Sequence, residues 1–345
     1  MTAIRDAIQA LVSDGAAPPA LLGRAFGEIM DGEASPAAAA GLLVGLRMKG
    51  ETVDEIVAVA EALRARATKA EPADPRTIDT CGTGGSGLDT FNISTTSAFV
   101  VAGAGVSVAK HGNRAATSRS GSFDVLEALG IRIDLPIETC GRILADVGIA
   151  PFFARTAHPA FKHVAPVRAE LGVRTLLNCL GPLLSPVGAR YQVVGVYARE
   201  LVEPLAEALG RLGAERALVV HGSDGMDELT TTGPSHAALL ANGKVGPMVV
   251  EPEALGLETA CLEDLAGGTP EENAATTLAI LDGATGPKRD IVLLNAAAAL
   301  LVVERATSLE DGIALAATSI DSGAARARLD ALAEATRAAG EGASS

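Results

Sequence analysis

The sequence predicts an α/β protein: a small all-helical unit over residues 1–70, then a larger α/β domain over 74–345 built on a central, mostly parallel sheet. Three observations carry this. Up to about residue 70, apolar residues recur at helical spacing. From Thr77 onward, short β-rich runs alternate with helical stretches, the pattern of parallel strands covered by helices. The first of those runs opens onto Gly82-Thr83-Gly84-Gly85-Ser86-Gly87, four glycines in six residues, where the strand-end loops of such sheets meet ligands.

Taken in order, Ile4, Ile8, Leu11 and Val12 share one helical face, and Leu22, Phe26, Ile29 and Met30 share another. Ser35-Pro36 opens a third helix, with proline where its missing N–H is no loss, and Gly50 closes it. Thr52 and Glu55 form a capping box ahead of Ile56, Val59, Ala60 and Leu63. Lys69 to Pro75, with two prolines and mixed charge, reads as a linker. Beyond it, strands are expected at Thr77–Thr80, Val106–Ala109, Val193–Tyr197 and Ala217–His221. Helices are expected at Thr95–Gly103, Phe123–Leu129, Glu138–Val147, Leu201–Leu212 and over the Ala-rich stretches after Glu271, with the tail after Arg337 frayed.

Composition narrows the function. The 42 acidic residues outnumber the 28 basic ones, for a net charge of -14, and there is no Trp. Nucleic acids call for a basic surface, and single strands also for aromatic platforms, so neither is an expected partner. No apolar run approaches the roughly 18 residues of a membrane span, and Asp6 and Asp14 argue against a signal peptide. Cys81, Cys140, Cys179 and Cys261 are widely spaced, so reduced thiols in the cytoplasm are expected rather than zinc or disulfides. Cys81, beside the glycine loop, reads as a small apolar filler.

Against the acidic background, two stretches lack acids. Thr90 to Phe123 holds Lys110, Arg114 and Arg119 with no Asp or Glu; Val147 to Arg199 holds six Lys and Arg against Glu170 alone. Such zones concentrate anionic ligands. The glycine loop turns backbone N–H groups toward a ligand and leads into a helix N-terminus, a combination suited to phosphates. Lys110-His111-Gly112-Asn113-Arg114 follows an expected strand and offers donors for phosphate and carboxylate, joined by the hydroxyls of Ser118, Ser120 and Ser122. Asp224-Gly225-Met226-Asp227-Glu228 follows another strand and supplies hard oxygen ligands of the kind Mg2+ shares with substrate phosphates.

Gly82-Thr83-Gly84-Gly85, Asn92-Ile93-Ser94-Thr95 and Lys110-His111-Gly112-Asn113-Arg114 together closely resemble the anthranilate phosphoribosyltransferase family. The resemblance continues through His158-Pro159-Ala160, Pro166-Val167-Arg168, Leu171-Gly172-Val173-Arg174-Thr175, Leu180-Gly181-Pro182-Leu183 and Asp227-Glu228, and so covers essentially the whole chain. It implies the nucleoside phosphorylase/phosphoribosyltransferase type of fold, with part of 170–190 completing the helical unit, and a homodimer formed through that unit. It implies transfer of phosphoribosyl from phosphoribosyl diphosphate to anthranilate, assisted by Mg2+ at two ions per monomer, in tryptophan synthesis. The donor site would comprise Gly82, Gly85, Ser86, Thr90, Asn92, Ile93, Ser94, Thr95, Lys110, His111, Gly112, Asn113, Arg114, Ala115, Ala116, Thr117, Ser118 and Ser122. Anthranilate would lie against Gly82, Asn113 and Arg168, and the metal against Ser94, Asp227 and Glu228; no residue is expected to act as a covalent catalyst. Ser86 stands where this family usually has Asp, and Leu177 and Ser185 where Phe and Asn are commoner.

Two other readings remain. A pyrimidine-nucleoside phosphorylase would show a Lys-His-Ser-Thr-Gly-Gly type of loop and a longer chain, against Thr80-Cys81-Gly82-Thr83-Gly84-Gly85 here. A nucleic-acid-binding relative of the same fold should be basic and has no need of the paired acids.

Overall fold

In the structure, a computed structural model describing residues 2–72, 74–115 and 119–342, the first 64 residues form four helices: α1 (Ala3–Asp14), α2 (Pro19–Met30), α3 (Pro36–Lys49) and α4 (Val53–Arg64). The expected signals do their local work. Ser35 accepts from the Ala38 N–H ahead of Pro36, and Thr52 and Glu55 close a full capping box on α4. The start of α1 is capped from outside, since Glu28 on α2 accepts from the Ala3 and Ile4 N–H groups at 2.6 and 2.9 Å.

The α/β part runs β1 (Ile78–Gly82), α5 (Ile93–Gly103), β2 (Val108–Gly112), α6 (Ser122–Ala128), α7 (Ile137–Val147) and β3 (Ile149–Phe153). Three short helices follow, α8 (Ala154–Ala157), α9 (Ala165–Leu171) and α10 (Leu177–Leu180), before β4 (Tyr191–Gly195), α11 (Val202–Arg211) and β5 (Arg216–Gly222). The hairpin β6 (Ser235–Ala241) and β7 (Lys244–Val250) precedes α12 (Pro270–Leu281), α13 (Pro287–Val302), α14 (Leu309–Asp321) and α15 (Ala324–Gly342). The sheet order is β3-β2-β1-β4-β5-β6-β7, parallel through β5 and antiparallel at β6 and β7. Among the described residues no helix is long and apolar enough to cross a membrane.

Several expected boundaries shift. β1 continues to Gly82, and β2 begins at Val108 and carries Lys110 and His111 inside the sheet, opposite Pro151 and Phe152, rather than in a loop. β3, β6 and β7 were not expected. α15 does not fray after Arg337 but stays helical to Gly342.

Strand alternation divides the core in two. Tyr191, Val193, Leu218 and Val220 point into a cluster with α5, α7 and the helices α12 to α15. Val194, Val196, Ala217 and Val219 point the other way, into a cluster that continues through α11, Leu176 to Leu184 and on to α1–α4. The helical unit is thus packed onto one face of the sheet through α11 and the 164–184 segment. Arg64, at the end of α4, ties this layer with hydrogen bonds to the Leu183 and Leu212 carbonyls at 2.6 and 2.8 Å.

Candidate active site

β1 is followed in the sheet by β2 on one side and by β4 on the other, so the chain leaves the ends of β1 and β4 in opposite directions and opens a crevice there. Four of the parallel strands, β1, β2, β4 and β5, end on glycine, at Gly82, Gly112, Gly195 and Gly222. The loops close directly over those ends. A Cβ at Gly82 would stand 2.5 Å from Asp227 Oδ2, and one at Gly195 only 1.6 Å from the Asp227 carbonyl oxygen. Thr80, Cys81, Ser94, Val193, Gly195, Glu228 and Asn295 line a small cavity in this crevice.

Under the glycine loop lies a buried polar cluster. Asp79, completely buried on β1, accepts from the His111 backbone N–H at 3.1 Å, and burial raises its carboxyl to about 6 despite the nearby Lys110 charge. Lys110 is 3% exposed; its Nζ donates to the Thr80 carbonyl and to Ser94 Oγ at 3.3 Å. The Cys81 thiol is pushed well up by burial and by Asp79, and stays an un-ionised filler as expected. His111 and His158 meet edge to face with ring centroids 5.3 Å apart. Burial holds both imidazoles neutral, lowering His111 to about 3 and His158 to about 4.

The acidic loop reaches this cluster from β5. Asp227 Oδ2 accepts from the Gly84 N–H at 2.9 Å, and Glu228 Oε1 accepts from the Ser94 N–H at 3.1 Å. Burial, then the Asp227 charge, raises Glu228 to about 8. Ser94, Asp227 and Glu228 are therefore brought together, with the Lys110 ammonium bonded to the serine hydroxyl. Asp224 does different work: its carboxylate accepts from Thr230 and Thr232 hydroxyls, both at 2.7 Å, and shapes the turn. Among the described residues no group of three or more His, Cys, Asp and Glu side chains is placed to hold a metal.

The glycine loop itself is tied at four points: the Thr83 N–H donates to the Gly195 carbonyl at 2.8 Å, the Gly84 N–H to Asp227, the Thr83 hydroxyl accepts from the Tyr197 N–H at 3.1 Å, and the Gly85 carbonyl accepts from Arg174, whose guanidinium stacks 4.4 Å from the Tyr197 ring centroid. Gly84, Gly85 and Gly87 all have φ between 66° and 82°, the left-handed region. Ser86 Oγ accepts from the Leu88 N–H at 3.5 Å, and Thr90 bridges Ala266. Asn92 heads α5 without capping it, Ile93 is buried in the core, and the Thr95 hydroxyl is buried with no partner among the described residues.

After β2 the chain is less open than its composition suggests. The Arg114 guanidinium is already paired with Asp124 and Glu127 on α6, and the Ala115 N–H is taken by Asp124 at 2.8 Å. Asn113 is exposed, and its carbonyl accepts from Ser122 Oγ. Ala116, Thr117 and Ser118 lie outside the described residues. Arg168 is half-buried on α9, and burial pulls its guanidinium below its ordinary value. Among the described residues that guanidinium makes no hydrogen bond or ion pair, to Gly82 and Asn113 or to anything else.

Residue-type reasoning missed two supports on the C-terminal helices. Asn295, 4% exposed, grips the backbone next to Glu228: its Oδ1 accepts from the Leu229 N–H at 3.0 Å and its Nδ2 donates to the Leu229 carbonyl at 2.8 Å. Asn273, 2% exposed, donates to Asn92 Oδ1 at 2.9 Å. The available signal was a lone amide in an apolar helix, since Asn295 is the one polar residue from Ile291 to Val302.

Residues 4–67 match the helical bundle domain of a glycosyl transferase family, and residues 74–326 match the a/b domain of the same family. The chain is 55% identical over 304 residues to the anthranilate phosphoribosyltransferase of Moorella thermoacetica, covering 88% of this chain and 90% of that one. It is 54% identical over 308 residues to that of Symbiobacterium thermophilum, at 89% and 90% coverage. The crystal structure of the Thermus thermophilus anthranilate phosphoribosyltransferase superimposes with a TM-score of 0.92 at 44% identity, covering 98% of this chain and 100% of that one. The Saccharomyces cerevisiae enzyme in complex with PRPP and Mg gives 0.90 at 27% identity, over 97% and 98%.

Proposed function

The chain belongs to the anthranilate phosphoribosyltransferase family, and from that premise we propose how its own cleft divides the work of the reaction. It transfers the phosphoribosyl group of phosphoribosyl diphosphate to the amine of anthranilate, releasing diphosphate, as a step of tryptophan synthesis. The observation that carries the division of roles is the meeting of Ser94, Lys110, Asp227 and Glu228 beneath an open glycine loop.

As the ribose C1–O bond breaks, its electron pair leaves on diphosphate and the sugar becomes positive; the amine nitrogen then bonds to C1 and loses a proton to solvent. Stabilising the departing charge is the main demand. We assign the donor to Gly82, Gly85, Ser86, Thr90, the Asn92–Thr95 turn, the Lys110–Ser118 segment and Ser122. The Thr95 N–H in the first turn of α5 suits a phosphate oxygen, and the Lys110 charge lies behind Ser94. The residues also fit magnesium: Ser94 Oγ, Asp227 and Glu228 are hard oxygen donors, and a Glu228 carboxyl raised to about 8 by burial and Asp227 is stabilised as a carboxylate by a divalent cation. Two carboxylates without a third suit an ion that takes its remaining ligands from substrate phosphates and water. When bound, Mg2+ supplies charge neutralisation of the leaving diphosphate. Two ions per monomer is part of the same reading.

Arg168 is free to pair with the anthranilate carboxylate, with Asn113 and Gly82 positioning the ring and amine. Aromatic amines are already neutral at pH 7, so the low basicity of His111 and His158 is no obstacle. The reading further divides the chain into a unit of 1–70, completed by part of 170–190, and a unit of 74–345. It takes the protein to be a cytoplasmic homodimer. The supporting feature for the dimer is a pair of exposed apolar side chains on the helical unit, Val12 at 79% and Met48 at 84%. Purified protein given anthranilate, phosphoribosyl diphosphate and Mg2+ should consume the fluorescence of anthranilate; folded protein without turnover would end this assignment.

A further inference from the structure

Asparagine at the first position of a helix normally turns its side chain back to cap the exposed N–H groups. Asn92 occupies that position on α5 and makes no such bond. Its carboxamide is drawn the other way. Oδ1 accepts from Asn273 Nδ2 at 2.9 Å and from Ser120 Oγ at 3.2 Å, while Nδ2 donates to the Ser120 carbonyl at 3.3 Å. Of the three N–H groups opening the helix, that of Ile93 goes to the Phe91 carbonyl and that of Ser94 to Glu228. The Thr95 N–H has no partner among the described residues.

The direction of this relay is fixed by backbone at both ends. The Gly268 N–H, which can only donate, binds Asn273 Oδ1 at 2.8 Å, so Asn273 must present its NH2 to Asn92. Asn92 must then present its oxygen to Asn273, and its NH2 faces the Ser120 carbonyl, which can only accept. Gly268 is itself held in place: the neighbouring Gly267 N–H donates to Asp89 O at 2.8 Å, and a Cβ at Gly267 would stand 2.5 Å from Thr90.

We propose that Asn273 is a positioning residue for the phosphorylated donor: it holds the Asn92 amide off the helix end, leaving the Thr95 N–H uncapped for a phosphate oxygen. This rests on the donor-binding role assigned above to Asn92. Asn273 touches no reacting atom and acts only through Asn92, from a helix whose sequence lies 181 residues away.

The test is a double-mutant cycle read in the KM for phosphoribosyl diphosphate, with the KM for anthranilate alongside. Asn273→Ala should raise the donor KM roughly three- to tenfold, the size of one buried hydrogen bond, and move the anthranilate KM less than about twofold. In an Asn92→Ala background the same change should have almost no further effect, because nothing remains to be positioned. Asn273→Asp keeps the Gly268 bond but turns an oxygen on Asn92 Oδ1; it should weaken the donor at least as much, and it keeps the measurement open should the alanine variant not fold. Equal factors in both backgrounds, or equal rises in both KM values, would make Asn273 an ordinary structural residue and overturn the proposal. An unchanged donor KM in Asn92→Ala alone would instead overturn the role of Asn92 on which the proposal stands.

Discussion

Arg168 and Arg114 look alike in sequence, both guanidiniums in acid-poor stretches. The fold separates them, because Asp124 and Glu127 lie just beyond one acid-free stretch and α6 folds them back onto Arg114. Arg168 keeps its charge uncommitted among the described residues and is the better partner for a carboxylate. Arg168→Ala should therefore raise the KM for anthranilate about ten- to a hundredfold, the worth of a charged hydrogen bond, and leave the donor KM nearly unchanged. Equal losses for both substrates would mark a structural arginine. At this scale the sequence was legible where chemistry dictates residue type. The glycine loop at Gly82 and the acids Asp227 and Glu228 could be singled out by residue type, Ser94 only through the family resemblance; in the fold Gly82 lies against Asp227 and the Ser94 N–H donates to Glu228. Burial was not legible: nothing in Lys110-His111 announces that the lysine lies beneath Ser94, or that the imidazole is pressed against His158.

Among the elements, the amphipathic helices and the central strands were readable because each carries its own period and caps. Those missed have weaker local signals. β3, Ile149–Phe153, is apolar at every position and follows directly on α7, so no alternation sets it apart. β6, Ser-His-Ala-Ala-Leu-Leu-Ala, is as good a helix by composition as a strand, and takes its form from pairing with β5 and β7. α13 reads as plain core helix, yet Asn295 makes it a support for the acidic loop. Asn295→Ala would leave the Leu229 N–H and carbonyl buried and unpaired, which should cost about 1–3 kcal/mol in urea unfolding. A Mg2+ titration of the variant should be displaced as well, since Glu228 is the next residue. Unchanged stability would show that the backbone holds itself.

For the molecule as a whole, acid sensitivity follows from the buried imidazoles. His158 titrates near 6.5 when unfolded and near 4 when folded, so its neutral form favours the fold above pH 6.5 and that contribution disappears as pH falls toward 4. His158→Gln should flatten the decline in stability between those limits by up to about 1.4 kcal/mol per pH unit relative to the parent. Parallel stability curves for the two proteins would rule out His158 as the sensor. The two-layer core has a consequence for how the chain can be encoded. Residues 1–70 are held to the rest by buried side chains from 164–184, by α11 and by the bonds of Arg64, while the connection at 69–72 is irregular, with Lys69, Glu71 and Pro72 exposed and only Ala70 half-buried, its N–H donating to the Pro186 carbonyl. Peptide continuity there contributes little beyond local concentration. Two reading frames, one for residues 1–70 and one for 71–345, should yield pieces that find each other inside a cell, purify together on a tag carried by either, and restore growth to a strain unable to make its own tryptophan.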